Sequence, residues 1–143
     1  MSFLLDTNVV SEWVKPQPHR GVITWLAEVD EDTVFLSVVT LAELRRGVDR
    51  LPGGRRKERL EVWLCDELPL RFTGRSLGID DEIADAWGHL VARSEASGRA
   101  MSAMDGFIAA TAVVHGLTLV TRNVADFRGV LAMIVNPWSP ADH

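Results

Sequence analysis

Asp6, Glu43, Asp105 and Asp126, together with Asn123, are the side chains whose types and spacing could do chemistry. Each stands where an apolar run gives way to a polar or helical one. Asp6 ends Phe3-Leu4-Leu5, and Glu43 falls in the expected first turn of the helix after Val34–Val39. Asp105 opens an alanine-rich helix, and Asn123 and Asp126 follow Leu117–Val120. Carboxylates gathered in one cleft repel and raise one another's pKa. Helix N-termini offset part of that repulsion. A hard divalent cation offsets more, since Mg²⁺ takes a few carboxylates, keeps several waters and binds phosphate oxygens. Each acid also has a plainer use. Thr40-Leu-Ala-Glu43 and Ser102-Ala-Met-Asp105 both fit a capping box, in which the acid serves backbone amides. Asp6 fits that use least well, because an uncompensated carboxylate at the end of an apolar strand is costly. The two uses are compatible, since a cap can hold a ligand rigid.

These residues need elements to position them. Phe3-Leu4-Leu5 reads as a short strand, followed by a helix capped at Thr7 or Asn8 that runs to about Val14 and stops at Pro16 and Pro18. Val22, Ile23, Leu26 and Val29 recur at helical spacing, and Val34–Val39 is a β-branched run typical of a buried strand. Leu41–Leu51 reads as a helix, Leu51–Gly54 as a loop, and Leu60, Trp63, Leu64 and Leu68 mark the next helix. Leu77-Gly-Ile79 reads as a short strand, and Asp81–Glu95 as a helix stopped by Gly98. Ala103–His115 is apolar nearly all round and is expected to be buried, with Gly116 as its C-cap. Leu117–Val120 and Met133–Val135 complete the strands. Strands separated by helices imply parallel crossovers and a doubly wound α/β sheet. Ligands of such sheets bind outside the carboxyl ends of the strands, where strand order reverses. The acids lie at that edge.

Composition bounds the function. The chain has 143 residues, 47% hydrophobic and 24% charged, which suits one folded domain spanning 1–143 rather than a disordered chain. Its single cysteine, Cys65, excludes an internal disulfide and a cysteine-rich zinc site, and is expected to be buried and without a role. The longest uncharged stretch, 106–121, is about 16 residues and falls short of the ~20 that span a bilayer. Met1–Asp6 lacks the basic and apolar regions of a signal peptide. A cytoplasmic location without membrane contact is the expectation. The net charge of −5 argues against unspecific coating of nucleic acid. Yet seven of the fifteen Lys and Arg residues fall between Arg45 and Arg59. An acidic body with one basic segment could hold a metal and present a patch to phosphates.

Four motifs then occur in order: Leu4-Leu-Asp6-Thr7-Asn8, Ser37-Val-Val-Thr-Leu-Ala-Glu43-Leu, Asp105-Gly-Phe-Ile-Ala-Ala, and Leu119-Val-Thr121-Arg-Asn123-Val-Ala-Asp126-Phe, closing on Asn136-Pro-Trp138. Their order and spacing over essentially the whole chain resembles the PIN-domain ribonucleases, and most closely the VapC toxins of bacterial toxin–antitoxin pairs, including the FitB-like branch. The resemblance implies a five-stranded parallel sheet flanked by helices on both faces. It implies an acidic Mg²⁺ site, with Mn²⁺ as a substitute, that cleaves RNA endonucleolytically, together with a homodimer and a cognate antitoxin whose tail fills the acidic cleft. By motif match Asp6, Glu43 and Asp105 correspond to the metal ligands, and Thr7 or Thr121 to hydroxyl partners. The fourth acidic position departs from the family: the matching residue is Asn123, and Asp126 lies one turn later. An amide adds no charge, so the fourth role stays open between Asn123 and Asp126, as does the choice of one metal or two.

The chemistry expected from this match is metal-assisted phosphodiester hydrolysis, with Asp6 and Asp105 on the metal and Glu43 completing its shell or orienting a water. Arg45, Arg46 and Arg50, on the helix that carries Glu43, could guide phosphates, as could Arg122. Their plainer use is a solvated helix face. His19, His89, His115 and His143 lie outside the motifs, and the five tryptophans are expected to pack. A haloacid-dehalogenase-like phosphatase would need Asp-x-Asp where Asp6-Thr7-Asn8 stands. A receiver domain would need a lysine near the last strand, whereas the only lysines are Lys15 and Lys57. The weightier alternative is a catalytically inactive PIN-like module that acts only through its antitoxin or RNA partner.

Overall fold

A computed structural model of the chain describes residues 1–139; His143 lies outside them. Five short strands, β1 (Phe3–Leu5), β2 (Val34–Ser37), β3 (Ser76–Leu77), β4 (Thr118–Val120) and β5 (Ile134–Val135), form one sheet in the order β3-β2-β1-β4-β5. Every pairing is parallel, with Phe3 opposite Val34 and Thr118, and Leu5 opposite Val120. Chain order runs outward from β1 in both directions, so the switch point lies between β1 and β4. Asp6 leaves one of these strands and Thr121 the other.

Alternation along the strands sends successive side chains to opposite faces. Leu4 and Leu119 enter one core with Ile83, Leu90 and Ile108, from the helices α6 (Asp81–Ala96) and α7 (Ala103–His115). Leu5, Val34, Leu36 and Val120 enter the other. There they meet α1 (Thr7–Val10), which continues as a 3₁₀ turn to Val14, α2 (Arg20–Glu28) and α3 (Val38–Asp49). Both faces are therefore covered, as a parallel sheet requires.

The elements match the sequence reading except at four local points. The strand expected at Leu77–Ile79 is instead Ser76–Leu77, paired with Leu36–Ser37, and Gly78 and Ile79 lie beyond it. Thr7 and Asn8 do not cap the first helix; the Asp6 side chain does, accepting from the Thr7 amide. The strand read as Val34–Val39 ends at Ser37, whose hydroxyl caps α3 by accepting from Val39 N at 3.0 Å. Glu43 consequently lies in the second turn of α3, and the expected Thr40–Glu43 capping box does not form. The helix marked by Leu60 to Leu68 is broken into α4 (Arg55–Val62), a π turn over Trp63–Glu67 and α5 (Leu68–Arg71). Pro69 explains the break: it has no N–H to donate and its ring would strike the Cys65 carbonyl, so the turn widens ahead of it.

The middle of α7 is buried, as its composition implies, but Val113 is 50% exposed. Gly116 closes α7 in the left-handed conformation at φ 64°, which a side chain would strain. Short α8 (Val124–Phe127) links β4 to the segment before β5.

Candidate metal centre at the sheet switch point

Asp6 is the focus of the switch point. It is 5% exposed at the carboxyl end of β1. Its Oδ1 accepts from Thr7 N at 2.8 Å and its Oδ2 from the Thr121 hydroxyl at 2.8 Å. Thr121 is thus a tie from β4 to β1 through a side chain, and its own oxygen accepts the Asn123 amide at 3.0 Å. Asn8 completes the tie. Its Nδ2 lies 3.4 Å from Asp6 Oδ2 and 3.5 Å from Thr121 Oγ1, and its Oδ1 accepts from Arg122 N at 3.3 Å. Sequence alone offers Asn8 as a helix cap, and its place inside Asp6-Thr7-Asn8 is the signal that it also serves the site.

Glu43 reaches the same edge from α3. Thr7 Oγ1 donates to Glu43 Oε1 at 2.6 Å, and the Thr40 hydroxyl lies 3.3 Å from Thr7 Oγ1. Thr7 therefore serves the site twice, through its amide on Asp6 and its hydroxyl on Glu43. Asp105 comes from the first turn of α7. Ser102 caps that helix by accepting from Asp105 N at 3.1 Å, which is half of the expected capping box.

The electrostatics join these acids. The Asp6 carboxyl is pushed up to about 6: burial raises it most, the Thr121 hydroxyl and the Thr7 amide pull it part of the way down, and the charges of Asp105 and Glu43 add to the rise. Burial also raises the Asp105 carboxyl, the Ser102 hydroxyl lowers it, and the charges of Asp126 and Glu43 add to the rise. Asp126, exposed on α8, thus belongs to the charge cluster. Asn123 contributes its backbone N–H to Thr121 and makes no side-chain cap for α8.

Among the described residues no Lys, Arg or His forms an ion pair with Asp6, Glu43, Asp105 or Asp126. Neither do three of these acids stand gathered as a ready ligand cage. The carboxylates feel one another through charge, while Asp6, Glu43 and Asp105 are held by a hydroxyl or an amide. An uncompensated set of oxygen donors, one of them deeply buried, fits a hard divalent cation and not a soft one.

The basic residues divide. Arg45 is occupied: it pairs with Asp49 at 2.9 Å, lies 3.9 Å from Glu61 and points Nη2 at Cys65 Sγ at 3.0 Å. Cys65 is exposed, contrary to the expectation of burial, because the π turn carries it to the surface. Arg46 and Arg50 are exposed, and Arg122 lies over the Trp138 ring at 5.6 Å. A separate open groove is lined by Trp13, Lys15, Arg55, Arg59, Trp63 and Arg71. Its walls are partly held from within, for Lys15 pairs with buried Glu12, and Arg71 stacks on Trp13 at 4.1 Å. All five tryptophans are half-buried against the cores or α7. The described histidines stand outside the acid cluster. His19 caps α2 through Nδ1, His89 is exposed beside Asp85, and His115 ends α7 about 15 Å along the helix from Asp105.

Residues 3–130 match the PIN domain, and the chain belongs to the PIN-domain family. It is similar to a VapC ribonuclease, Y4jK, of Sinorhizobium fredii, with 38% identity over 96% of this chain and 99% of that protein. It is 42% identical to the toxin FitB of Neisseria gonorrhoeae over 94% of this chain and 97% of that one. Its fold superposes on a chain of the FitAB complex bound to an IR36 DNA fragment with a TM-score of 0.90 at 36% identity, covering 96% of both chains. A chain of FitAcB from Neisseria gonorrhoeae matches with a TM-score of 0.90 at 39% identity, over 95% of this chain and 98% of that one. PIN-domain VapC nucleases generally depend on a divalent metal. No helix among the described residues is long and apolar enough to cross a membrane.

Proposed function

We propose that this chain is a divalent-metal-dependent endoribonuclease and the toxin of a VapBC-type toxin–antitoxin pair, active in the cytoplasm as a single-domain protomer of a homodimer. The observation that carries the reading is the buried Asp6 carboxylate, tied by Thr121 across the switch point and crowded by acids that pair with no Lys, Arg or His among the described residues. Family membership and the VapC and FitB relatives support the same activity.

In this reading Asp6, Glu43 and Asp105 hold one Mg²⁺, for which Mn²⁺ substitutes. When bound, the cation supplies charge neutralisation at the scissile phosphate and an acidified water for attack. Thr121 and Thr7 fix the orientation of the Asp6 carboxylate, and Thr7 fixes Glu43. Asp126 contributes negative charge beside Asp105 and takes the fourth acidic role, while Asn123 serves through its backbone. Exposed Arg46, Arg50 and Arg122 contact RNA phosphates, with Arg45 bracing α3 more than reaching out. The cognate antitoxin silences the toxin by covering the acidic cleft.

The test is cleavage of total cellular RNA by purified wild type and Asp6→Asn, with Mg²⁺, Mn²⁺ or EDTA. Metal-dependent cutting that falls at least about a hundredfold in Asp6→Asn is expected, since the substitution removes a ligand's charge. A second reading, a non-catalytic module acting through its partner, is favoured only by the carboxylates' standing apart from a ready cage and by Asn123 in the fourth position. Metal binding without cleavage of any cellular RNA would select it.

A further inference from the structure

α6 and α7 meet along a face where Gly106, the residue after Asp105, touches Trp87. A Cβ added at Gly106 would lie 2.7 Å from Trp87 Nε1, 2.9 Å from its Cδ1 and 2.9 Å from Val91 Cγ2. The indole therefore occupies the space a side chain would need. Its Nε1–H donates to the Ala103 carbonyl at 3.0 Å, and its ring stacks on Phe107 with centroids 5.2 Å apart and planes 21° apart. Ala103 is the first residue of α7 and Phe107 lies one turn on. One side chain thus grips both ends of the turn that carries Asp105.

First turns of helices hold the fewest internal hydrogen bonds and open most readily. This one also carries a carboxylate repelled by two others, Asp126 and Glu43. Ser102 fixes the Asp105 amide, but one cap does not fix the direction in which the turn faces. A grip from α6 does. We infer that Trp87, seated against Gly106, is a positioning residue that holds the first turn of α7 so that Asp105 meets the metal with Asp6 and Glu43. This rests on the metal-dependent reading above. Trp87 touches neither metal nor RNA in this account; it acts through the α7 backbone.

The experiment titrates Mn²⁺ alone into the full-length wild type, Trp87→Phe and Gly106→Ala by calorimetry. Metal-free melting and amide exchange are measured on the same samples. Trp87→Phe keeps a ring against Phe107 and removes the donor to Ala103. Gly106→Ala displaces the indole. Both are expected to weaken Mn²⁺ binding about tenfold, as loss of an orienting partner does. Trp87→Phe should leave the metal-free melting temperature within a few degrees of wild type. In it, the Asp105, Gly106 and Phe107 amides should exchange faster, with the C-terminal half of α7 unchanged. A merely structural role would lower the melting temperature and leave Mn²⁺ affinity alone. Wild-type affinity in Trp87→Phe overturns the inference; should Gly106→Ala fail to fold, Trp87→Phe decides alone. A wild type that binds no Mn²⁺ overturns the metal reading itself, and unchanged amide exchange in Trp87→Phe then removes the grip as well.

Discussion

Asp6 carries its charge at a cost its neighbours only partly offset. Burial first, then Asp105 and Glu43, push its carboxyl up to about 6 from an unfolded value of 3.8. Between those values the folded chain binds a proton that the unfolded chain releases. Stability of the metal-free protein therefore falls as pH rises through this window, by an amount on the order of 3 kcal/mol, complete above about pH 7. The raised Asp105 carboxyl acts in the same direction. Glu12, held low by Lys15 and the His19 amide, acts the opposite way, but below 4.5. Denaturant melts from about pH 4 to 7 should show the decline without metal, and saturating Mn²⁺ should reverse it at the upper end, because the cation binds the ionised form. Thr121→Val removes the hydroxyl from Asp6 Oδ2. It should move the decline to higher pH and weaken Mn²⁺ binding about tenfold or more, read in the same melts and in a titration. The acids themselves were legible in the sequence because each ends an apolar run. Asn8 was less so, since an amide in a helix's first turn looks like any cap until the second strand is placed beside it.

At the scale of elements, apolar spacing places the helices, and α7 spans the expected Ala103–His115, whereas α3 begins at Val38 rather than Leu41. The β2–α3 junction shows what spacing cannot settle. Val38 and Val39 are β-branched and prolong the appearance of a strand, yet Ser37 is buried and its hydroxyl starts the helix there. That difference moves Glu43 from the first turn of α3 to the second and exchanges a backbone partner for the Thr7 hydroxyl. Ser37→Ala should cost about 1 kcal/mol in urea unfolding by loss of the cap. It should also lower cleavage, since α3 sets where Glu43 stands. The π turn was illegible in another way: Pro69 signals a break, but only the packed helix shows that the turn widens rather than ends. The grip of Trp87 on Gly106 joins positions nineteen residues apart and has no periodic signature.

At the scale of the molecule, an acidic body carries a basic segment, and the sequence showed that asymmetry plainly. It did not show which arginines are spent internally. Arg45 is tied to Asp49 and Cys65, whereas Arg46 and Arg50 stay exposed on the helix that carries Glu43. Replacing both Arg46 and Arg50 by Ala should raise KM for RNA several-fold and reduce the salt dependence of binding by about one to two phosphate contacts, with kcat little changed. The same change at Arg45 should act mainly on stability, because it unpairs Asp49 and loosens α3 from the π turn. Sheet order, too, was inferred only as a class; that β1 and β4 flank the switch point decides that Asp6 and Thr121 meet.

The central claim is that Asp6, Glu43 and Asp105 share one divalent cation. A calorimetric titration of Mn²⁺ into wild type, Asp6→Asn and Asp105→Asn, each shown to be folded by its melting curve, tests it most directly. One site per protomer in wild type, weakened at least about tenfold in both variants, is the result predicted. Equal binding in all three proteins, or none in a folded wild type, would contradict it.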